Sequence, residues 1–347
     1  MKYTKLIPII ALIFLFSCKA SFQHLQQEEN KYNITTVEQL QDKNYAQKIE
    51  DFYANGTEGT FTGRANIKIY YKIFKQPENE KAAILISSGR TEAAIKYKEL
   101  IFDLYNNGYS VYIHDHRGQG LSGRMADDPD MGYIDTFQFY IDDMKYFYDN
   151  YLKPDNHKKI FLLAHSMGGA IGMTYLEQNR NDFNAAAFSS PMLGLKSPTC
   201  GVIKMFHSKT PKYAMGQTGY NDDKVEFKDN HLTGCEVRYY RMVQAFEEEP
   251  KAKLGGATSF WVYKSCKQFK YMLKNVDKIE TPFILFSAVN DEVVAVHAHQ
   301  KFVKKAQKAG VVCKAFVVED AQHELFIEKD KQRIETVTKT LDFFNRY

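Results

Sequence analysis

The chain has 347 residues, which is long enough for one large α/β domain or for a domain that carries an insertion. Its formal net charge of +4 at pH 7 is close to balance, so it has neither the basic footprint of a nucleic-acid-binding protein nor an acidic tail. We therefore expect no nucleic-acid partner.

The N-terminus predicts export and a lipid anchor. Lys2 and Lys5 precede an apolar run at 6–16, which is too short to cross a bilayer but fits the core of a signal peptide. The stretch "LFSC" at its end resembles a bacterial lipobox, in which the cysteine is acylated after cleavage. Residues 1–17 are thus predicted to be a signal peptide and Cys18 the lipidated residue; a plain secretory signal with a chance cysteine is the alternative.

Residues 18–43 are predicted to form the lipidated N-terminus and a tether, because they are polar and show no hydrophobic periodicity. A coil of this length would span roughly 25–30 Å. Together these features predict an exported lipoprotein, anchored to a membrane of the cell envelope.

From residue 44 onward, apolar strand-like runs alternate with helical patterns. The predicted strands are an early antiparallel one at 66–74 and buried ones at 82–87, 110–114, 160–163, 184–189, 282–288 and 313–318. The predicted helices lie near 93–106, 135–152, 170–176, 296–308 and 330–345. This alternation is typical of an α/β fold with a mostly parallel sheet.

One long stretch interrupts the alternation. Residues 196–278 contain no comparable strand and are mostly helical in pattern, so they predict a helical cap inserted between two halves of the core, 44–195 and 279–347. The insertion follows the carboxyl end of a strand, which is the edge where ligands bind in such folds.

The most informative stretch is "IFLLAHSMGGA" at 160–170. A buried strand that turns sharply into a helix through x-Ser-x-Gly is the nucleophile elbow of the α/β-hydrolase fold, and it presents Ser166 above the sheet edge. Small residues flank such a serine because the strained backbone leaves no room for larger ones. An ordinary strand–turn–helix with an incidental serine is the alternative.

A nucleophilic serine needs a base, and the base needs an orienting acid. In this fold the chain order is Ser, acid, His. Asp291 in "FSAVNDEVV" and His323 in "VVEDAQHELF" follow Ser166 in that order, each just past a strand end. Glu292 is the close rival for the acid.

Other titratable groups near these motifs have simpler interpretations. Asp115 precedes the serine and is expected to brace its own loop, while Asp320 and Glu324 are too close to His323 in sequence to reach its far ring nitrogen. His165 adjoins the serine, and its side chain is expected to diverge and fill packing space.

An oxyanion hole requires two N–H donors. The first should be the amide of Met167, which follows the nucleophile, and the second the amide of Arg90, in the loop after the strand at 82–87. A simple turn into the next helix is the alternative for that loop.

Four cysteines follow Cys18 and none forms a C-x-x-C motif, so we expect four free, buried thiols, with one disulfide as the alternative. The histidines form no metal-binding pattern. We predict neither a metal site nor a cofactor.

Four stretches together resemble a known family. "SSGRTEAAIKYKELIFDLYNNGYSVYIHDHRGQGLSGR", "LLAHSMGGA", "GGATSFWV" and "DAQHELFIEKD" are similar to the bacterial lysophospholipases, in the serine-hydrolase group that includes monoacylglycerol lipases. The resemblance covers roughly residues 44–347. It implies the triad Ser166, Asp291 and His323, and a substrate with one fatty acyl chain on glycerol.

The expected activity is therefore hydrolysis of the acyl ester of a lysophospholipid. A monoacylglycerol lipase or broad carboxylesterase is the enzymatic alternative, and a non-catalytic binding protein on the same fold is the alternative outside enzymes. The long side chain of Arg90 is not needed for an oxyanion amide, so it is expected either to bind the substrate's phosphate or to pair with Glu92 or Asp115. The oligomeric state is not predicted.

Overall fold

The computed structural model describes residues 22–26, 28–221 and 226–347. The predicted signal peptide at 1–17 and the predicted lipidation at Cys18 lie outside these ranges. The strands are β1 (Phe22–His24), β2 (Thr57–Thr62), β3 (Lys68–Phe74), β4 (Ala82–Ser87), β5 (Tyr109–His114), β6 (Ile160–His165), β7 (Ala185–Ser189), β8 (Phe283–Ala288) and β9 (Cys313–Val318).

Helices lie between the strands in most of the chain. They are α1 (Val37–Gln41), α2 (Lys43–Ala54), α3 (Lys98–Asn106), α4 (Gln138–Phe147), α5 (Ser166–Gln178), α6 (Thr199–Met205), α7 (Glu236–Glu248), α8 (Ser259–Asn275), α9 (Val296–Lys308) and α10 (Asp330–Phe344). Within the described part of the chain, none of the helices combines the length and the apolar character needed to cross a bilayer.

The strands form one sheet in the order β1-β9-β8-β7-β6-β4-β5-β3-β2. Strands β4 to β9 pair in parallel, as does β1 with β9, whereas β3 is antiparallel to both β2 and β5. The predicted α/β-hydrolase architecture with an early antiparallel strand is confirmed. Because the central strands run in parallel, their carboxyl ends meet at one edge of the sheet.

The continuous apolar runs of the central strands are explained by burial on both faces. In β4, Ala83 and Leu85 join one core, which includes side chains of α4, α5 and α9. The alternate residues Ile84 and Ile86 join the second core, which includes side chains of α3 and α10. Helices therefore cover both faces of the sheet and leave its edge for the loops.

The stretch between β7 and β8 contains α6, α7 and α8, and it forms the cap. Cys200 and Cys266 form a disulfide that joins α6 to α8, so the expectation of four free thiols is wrong. Cys235 and Cys313 are free. Sequence spacing did not reveal the pair, because 66 residues separate cysteines that the packing of two helices brings together.

The predicted coil-like tether does not extend to residue 43. Phe22 pairs with Ala315 at the edge of the sheet, and Ile34 is completely buried in the core on the α3 side. The described residues from 22 to 43 therefore lie against the core, which the polar composition of this stretch concealed.

This N-terminal segment also connects the core to the cap. The carbonyl of Thr35 accepts hydrogen bonds from Arg238 of α7 at 2.9 Å and from Arg333 of α10 at 3.1 Å. Arg238 also pairs with Glu99 of α3 at 3.0 Å, and Arg333 with Asp103 at 2.6 Å. Both arginine side chains are almost completely buried, so their ion pairs lie where the effective dielectric constant is low.

Candidate active site

Ser166 begins α5 directly after β6, as the nucleophile elbow predicts. Its φ of +50° is in the left-handed region, where a non-glycine residue is strained. Two residues later the chain needs glycine, because a Cβ at Gly168 would lie 2.1 Å from the carbonyl oxygen of Ser87 in β4. The close approach of α5 to β4 thus fixes where the Ser166 hydroxyl emerges.

The predicted triad residues are in hydrogen-bond contact. His323 follows β9, and its Nε2 is 2.8 Å from the Ser166 hydroxyl; its Nδ1 is 2.7 Å from Asp291, which follows β8. A carboxylate can only accept, so Nδ1 carries the proton and Nε2 is left to accept the serine proton. This is the arrangement that a general base requires.

Asp291 is held in place by its own loop. Its Oδ1 accepts the amides of Val293 and Val294 at 2.8 and 2.9 Å, while Oδ2 faces His323. Burial alone would raise the pKa of Asp291, but the hydrogen bond and charge of His323 and the two amides lower it below its usual value. The carboxylate therefore stays ionised and can stabilise an imidazolium.

The rival acid points elsewhere. Glu292 pairs with His231 at 3.0 Å, and both side chains are mostly exposed. Asp115 accepts the amides of Ala94 and Leu121 at 2.7 Å each, which is a loop-bracing role. Burial raises the pKa of Asp115 to about 7.

The loop after β4 carries Arg90 and is fixed from two sides. Gln119, from the glycine-rich loop "HRGQG", donates to the carbonyls of Gly89 and Glu92 at 2.7 and 2.8 Å. The carboxylate of Glu92 accepts the amide of Gly89. Met167 is in the first turn of α5, where amides lack intrahelical partners, and Arg90 lines the same cavity as Ser166. The oxyanion role of these two amides stays a prediction.

Sequence reasoning missed a buried cluster of charges beside the triad, which we call the charge cluster: Glu92, Lys96, His165 and Glu324. The ammonium of Lys96 contacts the carboxylates of both Glu92 and Glu324, the latter at 2.8 Å. His165 Nε2 lies 3.1 Å from Glu324, outside hydrogen-bond geometry, so this contact is mainly electrostatic. His165 is therefore not merely a packing residue.

Neighbouring charges keep three of these groups ionised. Burial disfavours the charged forms of Lys96, His165 and Glu324, yet the carboxylates of Glu324 and Glu92 raise the pKa values of Lys96 and His165, and His165 and Lys96 hold the pKa of Glu324 well below its usual range. Among the described residues, Glu92, His165 and Glu324 lie close enough together to hold a metal ion. The Lys96 ammonium already supplies a cation between the two carboxylates. The sequence signal for this cluster was that His165 precedes the nucleophile Ser166 and that Glu324 follows the base His323.

The site opens into a cavity of about 350 Å³, within the usual range for small-molecule pockets. The loop after β4, the charge cluster, Ser166 and His323 form its polar end. The cap and neighbouring loops supply apolar side chains: Met192, Leu195, Leu232, Met242, Phe246, Leu254, Trp261, Val293 and Val294. A substrate with an apolar chain and a reactive polar group matches this division.

Comparisons with known proteins identify the family of the chain. The family model Hydrolase_4, described as serine aminopeptidase, S33, matches residues 78–330. The chain is 32% identical over 310 residues to lysophospholipase L2 of Escherichia coli strain K12, and the match covers 86% of this chain and 90% of that protein.

Solved structures share the fold. A soluble variant of monoglyceride lipase from Saccharomyces cerevisiae, in complex with a substrate analogue, has a TM-score of 0.66 at 19% identity, covering 84% of this chain and 94% of that one. The monoacylglycerol lipase of Paleococcus ferrophilus has a TM-score of 0.61 at 17% identity, covering 79% and 97%.

The assignment of the acid can be tested with neighbouring substitutions. Asp291→Asn should lower kcat for ester hydrolysis by roughly 10⁴-fold, because an amide holds the imidazole in the wrong tautomer. Glu292→Gln is the matched control and should change kcat little, since Glu292 faces solvent beside His231. A large loss of kcat in the Glu292 variant with a small loss in the Asp291 variant would show that Glu292 is the acid that orients His323.

The charge cluster predicts that replacing Lys96 destabilises the protein more than replacing a partly exposed lysine does. Lys96→Met leaves two buried carboxylates without their cation and should lower the free energy of unfolding by about 3–5 kcal/mol. Lys145→Met is the control, because Lys145 forms a partly exposed pair with Asp149 and should cost less than about 1 kcal/mol. Urea denaturation of both variants gives the comparison, and equal losses would show that the cluster adds no stability.

Proposed function

The chain belongs to the Hydrolase_4 family of serine hydrolases, and we propose that it cleaves the acyl ester of a lysophospholipid in preference to that of a monoacylglycerol. It is a serine ester hydrolase acting on single-chain lipids, consistent with its similarity to lysophospholipase L2. The observation that carries the assignment is the hydrogen-bonded chain from Ser166 through His323 to Asp291, facing a cavity with apolar walls.

The reaction proceeds in two halves. The Ser166 hydroxyl attacks the ester carbonyl while His323 Nε2 takes its proton, and Asp291 stabilises the resulting imidazolium. The carbonyl oxygen becomes an oxyanion, which we expect the amides of Met167 and Arg90 to receive. His323 then returns the proton to the departing glycerol oxygen, leaving the fatty acyl group on Ser166.

Water completes the cycle. His323 removes a proton from a water molecule, the hydroxide attacks the acyl-enzyme, and the fatty acid leaves as Ser166 is reprotonated. No step requires a group beyond the side chains and amides already named. The apolar cap residues hold the acyl chain and exclude bulk water from the reacting carbonyl.

The enzymatic assignment is tested with Ser166→Ala and a panel of substrates. The wild-type protein should hydrolyse lysophospholipids faster than monoacylglycerols and short esters, and Ser166→Ala should lower every rate by roughly 10³–10⁶-fold. A fluorophosphonate probe should label the wild-type serine and not the variant. Unchanged turnover in the variant would refute the assignment, and absence of labelling would favour a binding protein.

We also propose that the enzyme works on a membrane, as an exported lipoprotein acylated at Cys18. The disulfide between Cys200 and Cys266 supports an oxidising compartment. The cap adds a second contact: residues 196–221 contain four lysines and no acidic residue. Met205, Phe206 and Met215 in the same stretch are strongly exposed. Exposed apolar side chains among cations suit a surface of anionic lipid.

The two membrane contacts can be separated. Cys18→Ser should move most of the protein out of the membrane fraction with catalysis intact, because about 0.8 kcal/mol per buried methylene is lost with the acyl chains. Adding Met205→Ser and Phe206→Ser should remove the residual binding to anionic vesicles. If Cys18→Ser alone leaves the protein fully bound, the lipid anchor is wrong; if the double cap change has no effect, the cap contact is wrong.

A further inference from the structure

We propose that the guanidinium of Arg90 is the group that binds the phosphate of the substrate's head group and so determines the preference for a lysophospholipid. The inference rests on the proposed function, since it assigns a head-group contact to the same site. It concerns the side chain of Arg90 and is independent of the oxyanion role predicted for its amide.

The side chain of Arg90 has few partners. Nη2 donates to the carbonyl of Gly255 at 2.7 Å, and the guanidinium carbon lies 5.3 Å from the centre of the Trp261 ring. The Nε atom is buried and has no hydrogen-bond partner in the described part of the chain. A buried donor without a partner costs about 1–3 kcal/mol, and more when it belongs to a charged group.

No carboxylate compensates the charge. Among the ion pairs of the described residues none involves Arg90, and both local acids expected as partners are engaged elsewhere. Glu92 is bound by Lys96, Tyr97 and the amide of Gly89. Asp115 accepts amides of its own loop and the adjacent one. The pairing of Arg90 with Glu92 or Asp115 is therefore wrong.

The consequence is an uncompensated cation at the active site. Burial lowers the pKa of Arg90 to about 10, which still leaves it protonated at neutral pH. Two lysines line the same cavity: Glu92 and Glu324 neutralise Lys96, and the ammonium of Lys253 lies over the ring of Tyr220 at 4.9 Å. Arg90 thus differs from the other buried cations described above, Lys96, Arg238 and Arg333, each of which has a carboxylate within 4 Å.

The position suits a phosphate next to the scissile ester. Arg90 and Ser166 line one cavity, and in a lysophospholipid the phosphate is on the same glycerol unit as the acyl ester. A guanidinium offers two parallel N–H groups to phosphate oxygens, a geometry that lysine lacks. The Trp261 ring, whose centre is 5.3 Å from the guanidinium carbon, makes a cation–π contact that restricts the side chain before substrate binds. A monoacylglycerol has no anion to place there.

The test compares substrates that differ only in the head group. The kcat/KM values for lysophosphatidylcholine, lysophosphatidic acid and monoacylglycerol of one acyl chain are measured for wild type, Arg90→Met and Arg90→Lys. Arg90→Met should lower the ratio of either lysophospholipid to monoacylglycerol by about 10- to 150-fold, the range of a hydrogen bond to a charged group. Arg90→Lys should restore part of that ratio. An unchanged ratio in Arg90→Met would overturn the proposal.

Arg124→Met is the matched control. Arg124 also has a partly buried guanidinium, but it donates only to backbone carbonyls, including that of Lys253 at 3.0 Å. Its loss should reduce the rates on all three substrates alike. If Arg90→Met also reduces all three rates alike, Arg90 only braces its loop and the phosphate contact is wrong. The proposed function would still hold if the wild-type protein hydrolyses lysophospholipid and the reaction depends on Ser166.

A binding measurement covers the case in which turnover fails. In the Ser166→Ala background, calorimetry with hexadecylphosphocholine and with hexadecylglycerol compares a phosphate-containing head group with an uncharged glycerol head group on the same alkyl chain. Adding Arg90→Met should weaken the first ligand at least 10-fold more than the second. Equal weakening would refute the Arg90 contact, even if no substrate in the panel were hydrolysed. Thermal unfolding confirms that each variant is folded.

Discussion

The charge cluster is the interaction on which the geometry of the active site depends. Its four members come from the loop after β4, the turn before α3, the end of β6 and the residue after His323. The Lys96 ammonium therefore joins the loop after β4 to the residue beside His323, and His165 of the elbow lies against the same carboxylate of Glu324. In a low-dielectric interior, a charge that loses its partner costs about 3–5 kcal/mol, so the cluster opposes movement of these loops apart.

Buried charged groups also attach the cap to the core. Arg238 belongs to the cap and Arg333 to the last helix, yet both donate to the carbonyl of Thr35. Each arginine also pairs with a carboxylate of α3. The cap is thus attached through buried charges on one side, and its helices α6 and α8 are joined by a disulfide. The apolar side chains on the inner face of the cap can therefore cover the cavity while these buried charges and the disulfide hold the cap in place.

Sequence patterns predicted the parts of the structure that depend on local order. Ser166, Asp291 and His323 were found because each directly follows a strand, and the carboxyl ends of parallel strands meet at one edge. The central strands were predicted because burial on both faces leaves an uninterrupted apolar run. The charge cluster, the disulfide and the contacts of Thr35 depend on side chains far apart in the chain. Arg90 illustrates the limit: the sequence suggested Glu92 and Asp115 as its partners, and other groups already bind both carboxylates.

The pairing of β1 with β9 at the edge of the sheet has a consequence for how the enzyme would sit on a membrane. If Cys18 carries a lipid, only three residues lie between it and Phe22, and the four fully extended steps from one Cα to the other reach at most about 14 Å. A linker of this length is shorter than the diameter of a small domain. The enzyme would therefore not sample the volume around its anchor, but would stand close to the bilayer with one sheet edge turned towards it. Its access to lipid would then be set by orientation more than by diffusion.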